Sequence, residues 1–243
     1  MIDNFGIIFI HGAGLGSFIW NDMKLLINYT VLAIDFPNRE VSEKINYNLA
    51  FDDYTKSAIE QIEKFNKDKI IIVTHSIGGC VGLKLVDYLR DKITGFVGIG
   101  SIFPINGKSF VSCFPFPQNC LMPLILWILG TKPPKKSIEQ ELCNDLTPEQ
   151  TSEIVKRFTP EAKRLYTTNV HHKNIASKTL YIKLNNDKSL SLQLQEKMAK
   201  EMNIYNIATL DSGHLPMISR LKELADILND FVKNVIRWIT TNR

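Results

Sequence analysis

Ser76 lies in the string Thr74-His75-Ser76-Ile77-Gly78-Gly79. A β-branched apolar run, Ile70 to Val73, precedes it, and a helix-like stretch, Val81 to Arg90, follows. A serine at a sharp strand-to-helix turn is placed to act as a nucleophile. The turn lifts its hydroxyl above the sheet and aims the next residue's N–H at a developing oxyanion. Small residues are needed there because strand, turn and helix backbones pass close together. The usual spacing is G-x-S-x-G, and this chain carries Thr74 where the first glycine is expected. By itself the string also fits an ordinary glycine turn, so its chemistry depends on partners elsewhere in the chain.

A serine hydroxyl needs a base. Asp211-Ser212-Gly213-His214 ends the last apolar run and precedes the last helical pattern, which makes His214 the candidate base. The histidine in turn needs an acid to fix its tautomer and stabilise its charged form. Asp187, after the run Thr179 to Leu184, is the reading adopted, with Asp211 and Asp35 as rivals. The order Ser76…Asp187…His214 matches one known triad class and excludes the orders of two others. The loop His11-Gly12-Ala13-Gly14-Leu15-Gly16 follows the first apolar run. Its glycines do not have dinucleotide spacing, and no G-K-[ST] follows them. The alternative is that the Ala13 N–H, with that of Ile77, forms an oxyanion hole, where one such donor contributes about 3–4 kcal/mol. His11 and His75 are expected to make structural hydrogen bonds, and His171-His172 have no nearby acidic or cysteine partners for a metal.

These residues must be held by a scaffold. Near-continuous apolar runs at 5–10, 31–35, 70–74, 95–100, 179–184 and 204–210 predict strands buried on both faces of a parallel sheet. Helical patterns at 18–27, 51–65, 81–90, 190–202 and 221–238 alternate with them, which predicts a doubly wound α/β fold. The alternation fails between 102 and 170. That stretch is read as a helical insert forming a lid, with core segments 1–101 and 171–243 on either side. Thr147-Pro148 and Thr159-Pro160 look like helix starts within it. Its aromatics Phe103, Phe110, Phe114, Phe116 and Trp127, with Leu126, are candidates for an apolar substrate pocket. Simple packing of lid on core would explain any one of them equally well.

At this point the chain resembles the α/β-hydrolase superfamily. The resemblance rests on His11 to Gly14 followed by Trp20, on Asp35-Phe36-Pro37, on the Thr74 to Gly79 turn, on Asp187 and on Gly213-His214. The stretch from His214 is similar to the small methylesterase and hydroxynitrile-lyase-like branch. Lyases of that branch carry a lysine near the catalytic histidine, whereas Leu215 stands here, which argues against cyanohydrin chemistry. A serine nucleophile argues against dehalogenase and epoxide-hydrolase relatives. The first two strands of larger members are expected to be missing. The resemblance implies a cofactor-free serine esterase acting on a small-molecule ester. Thioesterase, lactonase, amidase and C–C hydrolase chemistry use the same triad, and a slow-turnover receptor is the alternative of another class.

Composition excludes several classes. The chain has 243 residues, 44% hydrophobic and 22% charged, with net charge +4. That is an ordinary globular balance, and the short run at 132–136 (KPPKK) is not a nucleic-acid footprint. Four cysteines (80, 113, 120 and 143) make no metal spacing and are expected to be buried free thiols. The apolar stretch 121–130 is too short to span a bilayer and contains Pro123. No signal peptide is recognisable. The expectation is a cytoplasmic monomer or homodimer with no nucleic-acid partner and no stable membrane association.

Overall fold

The computed structural model describes residues 4–39, 43–175 and 177–241. Among them, six strands form one parallel sheet: β1 (Phe5–Ile10), β2 (Val31–Ile34), β3 (Lys69–His75), β4 (Ile93–Ile99), β5 (Lys178–Leu184) and β6 (Ile207–Leu210). Their order is β2-β1-β3-β4-β5-β6. The chain therefore winds outward in one direction from β1 to β2 and in the other from β3 onward. The gap between β1 and β3 is the point where that direction reverses, which is where α/β sheets of this kind open a crevice for ligands.

The side-chain period of a strand explains why the apolar runs are continuous. Ile8, Ile10, Ile70 and Ile72 face one layer, together with Tyr54, Ala58, Val81, Leu85 and Met198. Ile7, Phe9, Ile71 and Val73 face the other, with Trp20, Met23, Leu228, Phe231 and Val235. Both faces are covered, so the central strands are apolar along most of their length, and most of their few polar residues are buried. The first layer is built from α2 (Phe51–Phe65), α3 (Gly78–Leu89) and α8 (Leu192–Glu201). The second is built from α1 (Asn21–Leu26) and α10 (Leu221–Thr241), preceded by the short α9 (Pro216–Ser219).

The expected elements form with several shifts of boundary: β4 starts two residues early, at Ile93, β6 starts three residues late, at Ile207, and α10 runs three residues further, to Thr241. The pattern at 18–27 divides into a 3₁₀ turn, Ser17–Trp20, and α1. Helix α3 starts at Gly78, three residues before the apolar pattern, because the glycines permit close turning there.

Between β4 and β5 the described residues add no strand to the sheet. They form a 3₁₀ turn at Val111–Cys113, α4 (Gln118–Leu129), α5 (Lys135–Ser137), a π turn at Ile138–Leu142, α6 (Pro148–Arg157) and α7 (Lys163–Thr167). Thr147 caps α6 as expected: its hydroxyl accepts from the Gln150 N–H, and the Gln150 side chain accepts from the Thr147 N–H. Thr159-Pro160 does not start a helix. Thr159 instead forms a bridge with Gly14 of the loop after β1, and its N–H donates to the Gly14 carbonyl at 2.9 Å. The pairing with Gly14 wins over local capping, and α7 begins only at Lys163. Cys80, Cys113 and Cys143 are buried free thiols, whereas Cys120, on α4, is exposed, contrary to the expectation for all four.

Candidate active site

Ser76 occupies the turn between the end of β3 and the start of α3. Its φ is +53°. A non-glycine residue in the left-handed region is strained, so the surroundings must impose it. The Ser76 carbonyl accepts from the Ile102 N–H at 3.0 Å and from the Gly79 N–H at 3.1 Å. Two close approaches complete the turn. A Cβ on Gly78 would lie 2.6 Å from the His11 carbonyl oxygen. A Cβ on Gly12 would lie 2.9 Å from the Ser76 Cβ. The loop after β1 is thereby pressed against the serine.

The structure explains the threonine that replaces the first glycine of the motif. The room comes from Gly82, one turn into α3, where a Cβ would stand 2.5 Å from Thr74 Cγ2. The Thr74 hydroxyl donates to the Val97 carbonyl at 3.1 Å and lies 2.9 Å from the Ser101 hydroxyl.

His214 is 2% exposed and sits between β6 and α9. Its Nδ1 lies 2.7 Å from Asp187 Oδ2. The other carboxylate oxygen of Asp187 accepts from the N–H groups of Ser189, at 2.7 Å, and Leu190, at 2.9 Å. An acceptor-only carboxylate makes Nδ1 the donor and leaves Nε2 with a lone pair. The rival acids are engaged elsewhere. Asp35 accepts from the backbone N–H and hydroxyl of Ser17, both at 2.6 Å, and Asp211 accepts from the Asn185 amide at 2.7 Å.

His11 and His75 are structural, as expected. The backbone N–H of Phe36 donates to His11 Nε2 at 3.1 Å, so His11 Nδ1 donates to the Gly12 carbonyl at 2.8 Å. His75 Nε2 donates to the His214 carbonyl at 2.8 Å, and its buried Nδ1 has no hydrogen-bond partner among the described residues. Burial pushes both histidines well below their ordinary 6.5; the Arg39 charge adds to this at His11, and His214 does so at His75. His75 is therefore a neutral prop under the His214 backbone. His171 and His172 lie away from the cleft, and His172 is bonded to the carbonyls of Pro104 and Lys173. No group of three His, Cys, Asp or Glu side chains among the described residues is placed to hold a metal.

Ser76, Gly12, Ala13 and His214 line one cleft of about 280 Å³. They sit on the loops after β3, β1 and β6, and Ser189 and Leu190 join them from the loop after β5. The roof comes from the segment between β4 and β5: Phe110, Phe114, Met122, Pro133, Ile138, Leu142, Phe158 and Tyr166. Ile77 is fully buried and is not among the residues that line the cleft.

Four of the six expected pocket residues lie elsewhere. Phe103 is fully buried against Phe96 and Tyr181, below Gly79 and Gly98; it is a core residue because those glycines leave it a socket. Trp127 is 71% exposed on the outer side of α4. Phe116, at 81% exposed, also points away. Leu126 packs on the first core layer. Sequence reasoning missed Met122, Phe158, Tyr166 and Leu190. No spacing in the sequence marked Phe158: it precedes the Thr159 that pairs with Gly14, and its ring fills the space where a Gly14 Cβ would be, contacts that only the fold brings about.

It also missed two polar clamps between insert and core. Glu161 is fully buried, accepts from the Gly14 N–H at 3.1 Å, and is ion-paired with Arg39. Burial raises its carboxyl above the ordinary value, against the opposing pull of Arg39. Asp145 Oδ2 accepts from the Gly213 N–H at 2.6 Å, and the Asn144 amide donates to the Asn186 carbonyl at 2.9 Å. Neighbouring residues of the insert thus hold the turns that carry His214 and Asp187.

The profile of the Alpha/beta hydrolase family matches residues 7–227. Putative methylesterase 11 of Arabidopsis thaliana is 24% identical over 93% of this chain, which spans 63% of that protein's length. The chain likewise spans only 54% of putative methylesterase 13 from the same plant. It spans 95% of Arabidopsis methylesterase 9, at 22% identity over 91% of the chain, and 94% of the polyneuridine aldehyde esterase of Rauvolfia serpentina, at 22% over 92%. Among solved structures, an extracellular alpha/beta-hydrolase from a Paenibacillus species superposes with a TM-score of 0.79 at 19% identity, covering 92% of this chain and 97% of that one. The sheet order, the strained serine turn and the match along nearly the whole core agree: the chain belongs to the alpha/beta hydrolase family, on its methylesterase-like branch.

Proposed function

We propose that the chain is a cofactor-free carboxylic ester hydrolase using Ser76 as nucleophile, His214 as base and Asp187 as its orienting acid. The observation that carries this reading is the pairing of His214 Nδ1 with Asp187 in the cleft that Ser76 also lines. Ser76 Oγ attacks the ester carbonyl carbon, and His214 Nε2 takes its proton. Asp187 stabilises the imidazolium. The oxyanion is received by the N–H groups of Ala13 and Ile77. The tetrahedral species collapses, and His214 returns the proton to the departing alcohol. Water, deprotonated by the same histidine, then cleaves the acyl-enzyme.

The lining supports a small, uncharged ester. Among the described residues, Glu141 is the acid that lines the cleft, and no lysine or arginine lines it. A phosphate-bearing thioester carrier would find no cation there. The names of the methylesterase relatives favour a small alcohol as leaving group. The segment 102–170 acts as the lid, with Phe110 and Phe114 contacting the acyl part. The reading extends to a cytoplasmic monomer or homodimer, which fractionation and sedimentation test.

Hydrolysis of p-nitrophenyl acetate, butyrate and octanoate by wild type and by Ser76→Ala is the decisive assay. The wild type should turn over the short esters, and the variant should lose at least about a thousandfold of that rate. Retained activity in the variant would remove Ser76 as nucleophile. Inactivity of folded wild type on all three would end the esterase reading.

A further inference from the structure

Helix α4 breaks the rule that governs the other helices. Every residue from Leu121 to Leu129 is apolar, Pro123 included, and yet the helix has no buried residue. A helix that is apolar all round belongs in an interior. Met122 faces the cleft and Leu126 the core, while the opposite side goes to solvent. Leu124 is 52% exposed, Ile128 61% and Trp127 71%. Contiguous apolar exposure on this scale marks a docking surface.

The charges around it indicate what docks. From residue 92 to residue 138 the sequence contains lysines and no acidic residue. Lys132, Lys135 and Lys136 follow the helix directly and are exposed. Lys163 reaches the C-terminal end of α4, where its ammonium donates to the Trp127 carbonyl at 3.0 Å. Two acids intrude: Glu139 lies 3.5 Å from Lys135, and Glu141 lines the cleft. An apolar face with tryptophan and leucine, edged by lysine, is the composition of a helix lying in a membrane interface. Twelve residues make about 18 Å of helix, too short to cross a bilayer, and no helix of the described residues is long and apolar enough to do so. A second copy of the chain is the poorer occupant, since two such lysine edges would face each other.

We propose that α4 is a reversible surface anchor that seats its outer face in an anionic lipid bilayer, with the lysines on the lipid phosphates. Met122 lines the cleft from the inner side of the same helix. The cleft mouth would then open beside the lipid, where ester substrates of low solubility collect. This goes beyond the esterase reading and is measured without turnover.

The test is co-sedimentation of the full chain, in a Ser76→Ala background that leaves lipid esters intact, with vesicles of phosphatidylcholine alone or mixed with phosphatidylserine. The expected result is binding to the mixed vesicles that weakens with added salt. Leu124→Glu with Ile128→Glu should lower it about tenfold or more, and Lys135→Glu with Lys136→Glu should remove the preference for phosphatidylserine. Leu25→Glu, at an 82% exposed apolar site on the remote α1, should change nothing. Absence of binding by the parent chain overturns the proposal. So does equal binding by the Leu124/Ile128 variant, or a dimer that this variant dissociates while vesicles stay unbound. A failed esterase assay would leave these outcomes unaffected, so the two readings fail separately.

Discussion

Thr74 and Gly82 form a pair whose sizes are exchanged relative to the usual motif. The first small residue of the elbow has become a threonine, and the clearance moved one turn into α3. Gly82→Ala would place a methyl 2.5 Å from Thr74 Cγ2 and 3.2 Å from the Phe96 ring. In a core with no slack this overpacking costs about 1–3 kcal/mol. The expected outcome is a lowered Tm and reduced ester turnover, because the shifted strand end carries Ser76. The double variant Thr74→Gly with Gly82→Ala restores the spacing of the motif and should recover a large part of both losses. Thermal melts of the three proteins check this. Additive losses in the double variant would show that the two positions do not share one space. The threonine was visible in the sequence as a departure from pattern; the glycine that accommodates it was not. Eight residues separate them, and only the packing of a helix on its strand brings them together.

At the scale of elements, the strands and principal helices were legible because their cause is local. Period, length and apolar content are written in contiguous residues, and the candidate residues Ser76, Asp187 and His214 follow the ends of those elements. The insert was legible as an interruption of the alternation and in one helix start, Thr147-Pro148. Its contacts with the core are single polar side chains reaching across the chain, and no spacing announces them. Glu161 reads as an ordinary helix-start acid after a proline, and only the fold shows it buried against Gly14. Phe103 and Trp127 show the same limit: aromatic type predicts burial or recognition, not which side of an element the ring takes. Asp145 gives this scale its prediction. Its carboxylate fixes the Gly213 N–H one residue before His214, and its other oxygen stands where a Gly213 Cβ would be. Asp145→Ala should lower kcat about tenfold, the effect of losing one charge-assisted hydrogen bond, with KM little changed. Asp145→Asn keeps an acceptor and should recover much of the rate. A fall in Tm alone, with kcat unchanged in both variants, would reduce the clamp to packing.

For the molecule as a whole, the buried histidines tie stability to pH. His11 and His75 lie at the ends of adjoining strands, each with its tautomer fixed by the backbone, and burial holds each well below 6.5. The folded chain therefore excludes protons that the unfolded chain binds. The stability they allow is complete above about pH 6.5 and falls as pH drops from there towards the folded values, by about 1.4 kcal/mol per pH unit for each excluded proton. Glu161 acts in the opposite sense. Its carboxyl is raised by burial, so the folded chain gains as pH falls through its folded value towards 4.5. That contribution is the same in wild type and in a histidine variant, and comparing the two isolates the histidine. His75→Gln keeps a side-chain donor for the His214 carbonyl and removes the titrating ring. Between about pH 7 and about pH 5 the Tm of the wild type should fall more steeply than that of the variant, by the share of one proton. Parallel curves would mean that His75 takes up its proton in the folded chain, and hence that the strand ends beneath the cleft open to water on the acid side.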